Sequence, residues 1–175
     1  GGFVERADYM AKIAGQALAP TIVETSEAVE RRILRVPHGV AFVIAPWNYP
    51  YLTANNTIGP ALIAGNAVIL KHAAQTLLVG EHLVEAFTKA GGPEDVFVNL
   101  VLDHQITETL IGERAFDFIN FTGSVAGGKA IEKAAAGTFT PLGLELGGKD
   151  PGYVREDADV DNAVAILIDG AMFNS

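Results

Sequence analysis

The sequence has no cysteine among its 175 residues, which removes disulfides, thiolate metal sites and a thiol nucleophile from the chemistry these residues can perform. That absence fits a reducing compartment, and the expected location is the cytoplasm. Positive charge is scarce, with 12 Lys and Arg against 21 Asp and Glu and a formal charge of -9. Such a balance gives no electrostatic attraction to nucleic acid or to an anionic membrane, so neither is expected as a partner. Long apolar runs are missing too. No stretch reaches membrane-spanning length without Gly, Asn or a charge, and Gly1 to Met10 carries Glu5, Arg6 and Asp8 in place of a signal peptide's apolar centre. The four histidines, His38, His72, His82 and His104, show no short ligand spacing, and no metal site is expected. Internal repeats and low-complexity tracts are absent as well.

What is present is apolar and rhythmic. Hydrophobic residues make up 49% of the chain and charged ones only 19%, enough to bury a real core. A mean hydropathy of +0.27 is high for a free-standing domain, and surplus apolar surface belongs against another domain or subunit. Met10, Ile13, Ala14, Ala17 and Leu18 have helical spacing, so Arg6 to Ala19 is expected as a leading helix that Pro20 stops. Thr21 to Val36 mixes β-branched residues with charges, the pattern of an exposed strand or extended arm. After Pro37 strand-like and helix-like stretches alternate. The strands are expected at Val40–Ala45, Ala67–Leu70, Val96–Val101, Phe116–Phe121 and Gly143–Leu146. The helices are expected at Tyr51–Ala64, Thr76–Ala90, Ile106–Ile111, Ser124–Ala136 and Val160–Phe173. This alternation predicts an α/β fold with a doubly wound parallel sheet, whose ligand crevice lies at the carboxyl ends of the strands.

Four polar or glycine-rich clusters fall where strands finish: Pro46-Trp47-Asn48-Tyr49-Pro50, Lys71-His72, Phe121-Thr122-Gly123-Ser124 and Glu145-Leu146-Gly147-Gly148-Lys149. Each has a plain structural explanation: a turn asparagine, a solvated strand-end lysine, a helix-capping serine and a tight glycine turn. Taken together they converge on one crevice, and an extended cofactor needs donors from several neighbouring strand ends. Gly123-Ser124-Val125-Ala126-Gly127-Gly128 feeds glycines into a helix start, where backbone N–H groups and the helix dipole favour a pyrophosphate, although it is not the G-x-G-x-x-G pattern. Glu145 stands among Leu142, Gly143, Leu144 and Leu146, so it is expected to be enclosed and to have its proton affinity raised by desolvation, as a general base requires; a structural ion pair is the competing reading. Asp157, Asp159 and Asp161 precede the last helix and are read as capping it.

The segments Ala45-Pro46-Trp47-Asn48-Tyr49-Pro50, Lys71, Phe121-Thr122-Gly123-Ser124 and Leu144-Glu145-Leu146-Gly147-Gly148-Lys149 resemble, in that order, the aldehyde dehydrogenase superfamily. The resemblance runs from about Pro37 to Ser175. It implies that residues 37–175 form a Rossmann-like NAD(P)-binding domain and that residues 1–36 belong to an oligomerisation element. In that family a cysteine thiolate attacks the aldehyde, hydride passes to the nicotinamide, and water releases a carboxylic acid. By motif position Asn48 would donate its amide to the oxyanion and Glu145 would be the general base. Lys71 would hold cofactor ribose hydroxyls, with Ala74 beside it. Phe121, Gly123, Ser124 and Gly127 would shape the pyrophosphate site, Ile44, Ala45, Pro46 and Trp47 would line the cofactor channel, and Leu146 and Gly147 would lie beside the nicotinamide. The resemblance also implies a small-molecule aldehyde substrate and a homo-dimer or homo-tetramer.

The family's nucleophile follows closely after a Phe-x-x-x-Gly-Gln-type stretch, whereas this sequence stops at Phe173-Asn174-Ser175. The expectation is therefore that the thiol and the catalytic domain lie beyond Ser175, in a parent protein. Many members read Lys-Pro-Ser-Glu where this chain has Lys71-His72-Ala73-Ala74. An alanine in place of that glutamate removes a carboxylate that would repel a 2′-phosphate, so NADP is expected to be tolerated as well as NAD. Leu102-Asp103-His104 stands where many relatives place glycines near the adenine end. Two other functions compete: a reductase of the same superfamily acting on acyl phosphates or acyl-CoA, and a non-catalytic nucleotide-binding module.

Overall fold

In the computed structural model, which describes residues 2–173, the chain opens with helix α1 (Gly2–Ala17). It lies against a later helix through Phe3, whose ring meets Tyr51 edge-on at 6.3 Å, and through Arg6, whose Nη1 donates to Asn56 Oδ1 at 3.1 Å. The predicted extended arm is an antiparallel ribbon of β1 (Thr21–Thr25) and β2 (Glu30–Ile33), exposed along its whole length. Ser26 folds the turn between them, its backbone N–H donating to Val29 O at 2.9 Å.

The middle of the main sheet is a run with no polar residue to turn toward water. Val40-Ala41-Phe42-Val43-Ile44 forms β3 (Val40–Ile44), and four of its five residues are buried, as a strand covered on both faces requires. The chain then passes through α2 (Pro50–Ile63), β4 (Ala67–Lys71), a 3-10 turn at Ala74–Thr76, α3 (Leu77–Lys89) and β5 (Phe97–Asn99). It continues through α4 (His104–Gly112), β6 (Phe118–Gly123), α5 (Val125–Ala135), β7 (Leu142–Leu146) and α6 (Val160–Met172). Pro50 starts α2 where its missing N–H costs nothing, and Gly65 ends it at φ +87°, a conformation that suits glycine.

The five main strands are all parallel and lie in the order β5-β4-β3-β6-β7. From β3 the chain builds outward one way to β4 and β5, then returns to the other side of β3 with β6 and β7. The doubly wound α/β sheet expected from the alternation is thus present, with its switch point between β3 and β6. Period-2 alternation splits the core. Ala41, Val43, Val68 and Leu70 pack with Ala54 and Ile58 of α2 on one face. Phe42, Ile44 and Ile119 pack with Ile111 of α4 and Ile131 of α5 on the other, where Phe42 stacks on Phe116 with ring centres 4.1 Å apart.

Several boundaries differ from those read in the sequence. β6 starts at Phe118 rather than Phe116, because Phe116 is spent in the core against Phe42 and Asp117 Oδ2 accepts the N–H of Val40 at 2.8 Å. β5 is shorter than its apolar run, ending at Asn99 and leaving Val101 and Leu102 to line the crevice. The surplus of apolar surface is also located: α6 has no buried residue, and Val164, Ile166, Leu167 and Ile168 on it are exposed. The final Asn174-Ser175, part of the reading of a nearby nucleophile, lies outside the described residues.

Candidate functional site

The carboxyl ends of the five parallel strands open onto one cleft of about 960 Å³, within the range of small-molecule sites. β3 delivers Ile44, Ala45, Pro46, Trp47 and Asn48; β4 delivers Lys71, His72, Ala73 and Ala74; β6 delivers Phe121, Thr122, Gly123 and Ser124; and β7 delivers Glu145, Leu146 and Gly147. Every residue to which the resemblance gives a catalytic or cofactor-binding role lines this cleft except Gly127, while Tyr49, Pro50, Gly148 and Lys149 of the strand-end clusters do not line it.

Lys71 is not the solvated strand end of the plain reading. It is only 8% exposed, its Nζ reaches nothing better than the His72 carbonyl at 3.5 Å, and burial lowers its pKa below the ordinary lysine value. No carboxylate among the described residues pairs with it, so its charge is free for a ligand. The next side chain, His72, is 2% exposed and hydrogen-bonded on both ring nitrogens, to the Pro50 carbonyl, the Ala73 N–H and the Thr76 hydroxyl. Its pKa is lowered chiefly by burial; the Pro50 carbonyl raises it and the Lys71 charge lowers it further.

At the β6–α5 junction Ser124 caps the helix, its Oγ accepting the N–H of Gly127 at 3.0 Å. The N–H groups of Val125 and Ala126 have no helical partner, because the first turn of any helix leaves its donors unpaired. The glycines here do something other than what the sequence led us to expect. A Cβ on Gly127 would lie 2.5 Å from Phe121 Cζ, and one on Gly123 would lie 2.7 Å from the same atom. The two glycines therefore make room for the Phe121 ring against the helix start, and Gly127, its N–H taken by Ser124, sits outside the cleft.

Asn48 lies in the loop between β3 and α2, exposed, with its carbonyl accepting the Thr53 hydroxyl at 2.9 Å, which fixes the backbone and leaves the amide free to face a ligand. Tyr49 follows at φ 46°, a left-handed conformation that turns the chain sharply into α2. Glu145 departs from expectation: it is exposed rather than enclosed. The reason is the strand's own period. Leu142 and Leu144 pack on the core while Glu145 points to the opposite face of edge strand β7, where its side chain is exposed. The cleft also gathers residues that drew little notice in the sequence, Gln75, Leu77 and Val101 among them, and it includes Leu102, Asp103 and His104. Asp103 caps α4 there, its Oδ1 accepting the Ile106 N–H at 2.7 Å. Among the described residues no helix is long and apolar enough to cross a membrane.

The sequence profile of the aldehyde dehydrogenase family matches residues 1–175, the whole chain. The chain belongs to the aldehyde dehydrogenase family. Among curated family members it is 40% identical over 148 residues to betaine aldehyde dehydrogenase of Bacillus subtilis, covering 83% of this chain and 30% of that protein. Among solved structures it is similar to betaine aldehyde dehydrogenase from Staphylococcus aureus in complex with NAD+, at a TM-score of 0.85 and 32% identity, covering 94% of this chain and 33% of that one. It is also similar to succinic semialdehyde dehydrogenase from Streptococcus pyogenes in complex with NADP+, at a TM-score of 0.84 and 30% identity, covering 92% and 35%. The chain spans about a third of the length of these family members.

Proposed function

We propose that this chain forms the nucleotide-binding part of an NAD(P)-dependent aldehyde dehydrogenase, and that the whole protein oxidises a small-molecule aldehyde to a carboxylic acid. The observation that carries this reading is the donor set of the cleft. An ammonium with no carboxylate partner at Lys71, two unpaired backbone N–H groups at the start of α5, and apolar walls from Ile44, Leu146 and Phe121 meet at the switch point of a parallel sheet. Donors that are not paired with a carboxylate fit an anionic pyrophosphate and hydroxyl-rich riboses, so the residues present suit a dinucleotide. Lys71 would hold ribose hydroxyls, Ser124 and the N–H groups of Val125 and Ala126 the pyrophosphate, and Ile44 to Trp47 with Leu146 and Gly147 the channel to the nicotinamide. Ala74, at the ribose end, presents no carboxylate to repel a 2′-phosphate, so both NAD+ and NADP+ are accepted. When bound, the dinucleotide supplies a hydride acceptor.

Two further side chains serve the reaction. The Asn48 amide donates to the oxygen that gains charge when a nucleophile adds to the aldehyde, a contribution of about 2.7–4 kcal/mol for a preorganised donor. Glu145 takes the proton from the attacking water, with its covering supplied by residues other than those described here. The sequence contains no cysteine, so a thiol nucleophile comes from elsewhere in the protein. The exposed β1–β2 ribbon and the apolar face of α6 are the surfaces through which a homo-dimer or homo-tetramer and the remaining domain would pack. The expected compartment stays the cytoplasm.

The test is calorimetric titration of the chain with NAD+ and NADP+, repeated on a Lys71→Ala, Ser124→Ala double variant. Saturable binding that the double variant loses while keeping its circular dichroism supports the reading. Unchanged binding in the variant sinks it.

A further inference from the structure

Lys71 and the cleft are accounted for by the proposal above, yet His72 is not: it bears no assigned role and is among the most buried large side chains in the molecule, at 2% exposed. Its bonding fixes its chemical form. A backbone N–H can only donate, and the Ala73 N–H meets His72 Nδ1 at 3.0 Å, so Nδ1 offers its lone pair. The Thr76 hydroxyl donates to the same nitrogen at 2.8 Å. The proton of the neutral ring is then on Nε2, which faces the Pro50 carbonyl at 3.3 Å and donates to it. The two ring nitrogens thus hold two different pieces of the cleft wall. Pro50 directly follows the loop that bears Trp47 and Asn48, while Ala73 to Thr76 form the turn that brings Ala74 and Gln75 to the other side.

We propose that His72, as the neutral Nε2–H tautomer, is a positioning residue that ties the Asn48 loop to the Ala74–Thr76 turn and so sets the spacing between the nicotinamide and ribose ends of the cleft. The meaning of those two ends rests on the nucleotide reading; the tie itself does not. A proton added at Nδ1 would confront the Ala73 N–H, remove that bond and force the Thr76 hydroxyl to turn from donor to acceptor. The surroundings disfavour that proton: Lys71 is the charged neighbour on its own strand, α2 and β3 contain no Asp, Glu, Lys, Arg or His, and the first charged or titratable residues of α3 are Glu81 and His82. Tyr51 and His82 make a second, exposed link between α2 and α3, 2.9 Å long, on the helices beyond the cleft wall.

The experiment uses the 175-residue chain and the variants His72→Gln, His72→Asn and His72→Phe. Long-range nitrogen–proton spectra of the histidine rings at neutral pH should show His72 protonated at Nε2 and bare at Nδ1. Gln keeps a donor near the Nε2 position and Asn an acceptor near the Nδ1 position. His72→Gln should accordingly shift the Ala74 and Gln75 signals while leaving the Trp47 indole and the Asn48 amide near their original positions, and His72→Asn should do the reverse. His72→Phe, which fills the space without either bond, should shift both sets and weaken NADP+ binding about tenfold at unchanged circular dichroism. A proton on Nδ1, or the same shifts from the Gln and Asn variants, overturns the tie. If the Phe variant does not fold, the crossed pattern of the other two decides the matter. If the parent chain binds neither nucleotide, the nucleotide reading fails and the tautomer and shift pattern still decide the tie.

Discussion

Replacing Lys71 by Met should make the chain more stable and less able to bind a dinucleotide. The stem of Lys71 is buried and its ammonium has one hydrogen bond at the outer limit of length, 3.5 Å, with no ion pair. Methionine keeps the stem's packing and removes an under-compensated polar group, a change worth about 1–3 kcal/mol by mutational experience. For a chain of this size each kcal/mol moves the melting temperature by about 2–4 °C. The pH dependence has a definite sign. Burial lowers the folded-state pKa of Lys71 below the unfolded value, so between those two values the unfolded chain holds more protons, and the parent's stability rises with pH across that window. The advantage of Lys71→Met is therefore full below the folded-state pKa and disappears as pH climbs to the unfolded lysine value. Differential scanning calorimetry at neutral and alkaline pH, paired with NAD+ titration, reads both effects. A Met variant that melts below the parent at neutral pH, or that binds NAD+ as tightly, would refute the reasoning.

Three other perturbations have defined outcomes. Gly80→Ala puts a Cβ 2.2 Å from the buried, unpartnered Asn99 Oδ1, and urea unfolding should show a loss of about 1–3 kcal/mol that Asn99→Ala in the same chain largely restores. Phe42→Ala, at a fully buried ring stacked on Phe116, should cost about 3–5 kcal/mol in the same assay; a loss under about 1 kcal/mol would mean that the two-sided core is not packed as described. Ala74→Glu returns a carboxylate to the ribose end of the cleft, and titration should show NADP+ weakened about tenfold relative to NAD+, whereas equal weakening of both would place the 2′-phosphate elsewhere.

The sequence revealed the fold well where one period dominates. The apolar runs Val40 to Ala45 and Ala67 to Leu70 read as strands, β3 and β4 form there within one residue of those bounds, and their ends announced where polar residues would collect. It was less informative where a residue's state depends on distant chain. His72 is held between Pro50 and the turn at Thr76, which no local pattern records. Glu145 looked enclosed because its sequence neighbours are leucines, yet strand alternation sends those leucines to the opposite face and the sheet ends at β7. Gly127 looked like a place for a phosphate to approach, and the space it leaves is taken by Phe121 from the preceding strand. His72 could have been noticed as a polar residue placed between a buried strand and a short turn, where an imidazole's two nitrogens can bridge.

The central claim, that the strand-end cleft holds the dinucleotide, is tested most directly by mapping backbone amide and indole signals of the chain as NAD+ is added. The account predicts that the largest shifts fall on Trp47, on Lys71 to Ala74 and on Gly123 to Ala126, with the groove between α1 and α2 unmoved. Shifts centred on Tyr9, Ile13 and Ile63 in that groove, or saturable binding that leaves the Gly123 to Ala126 amides in place, would contradict it.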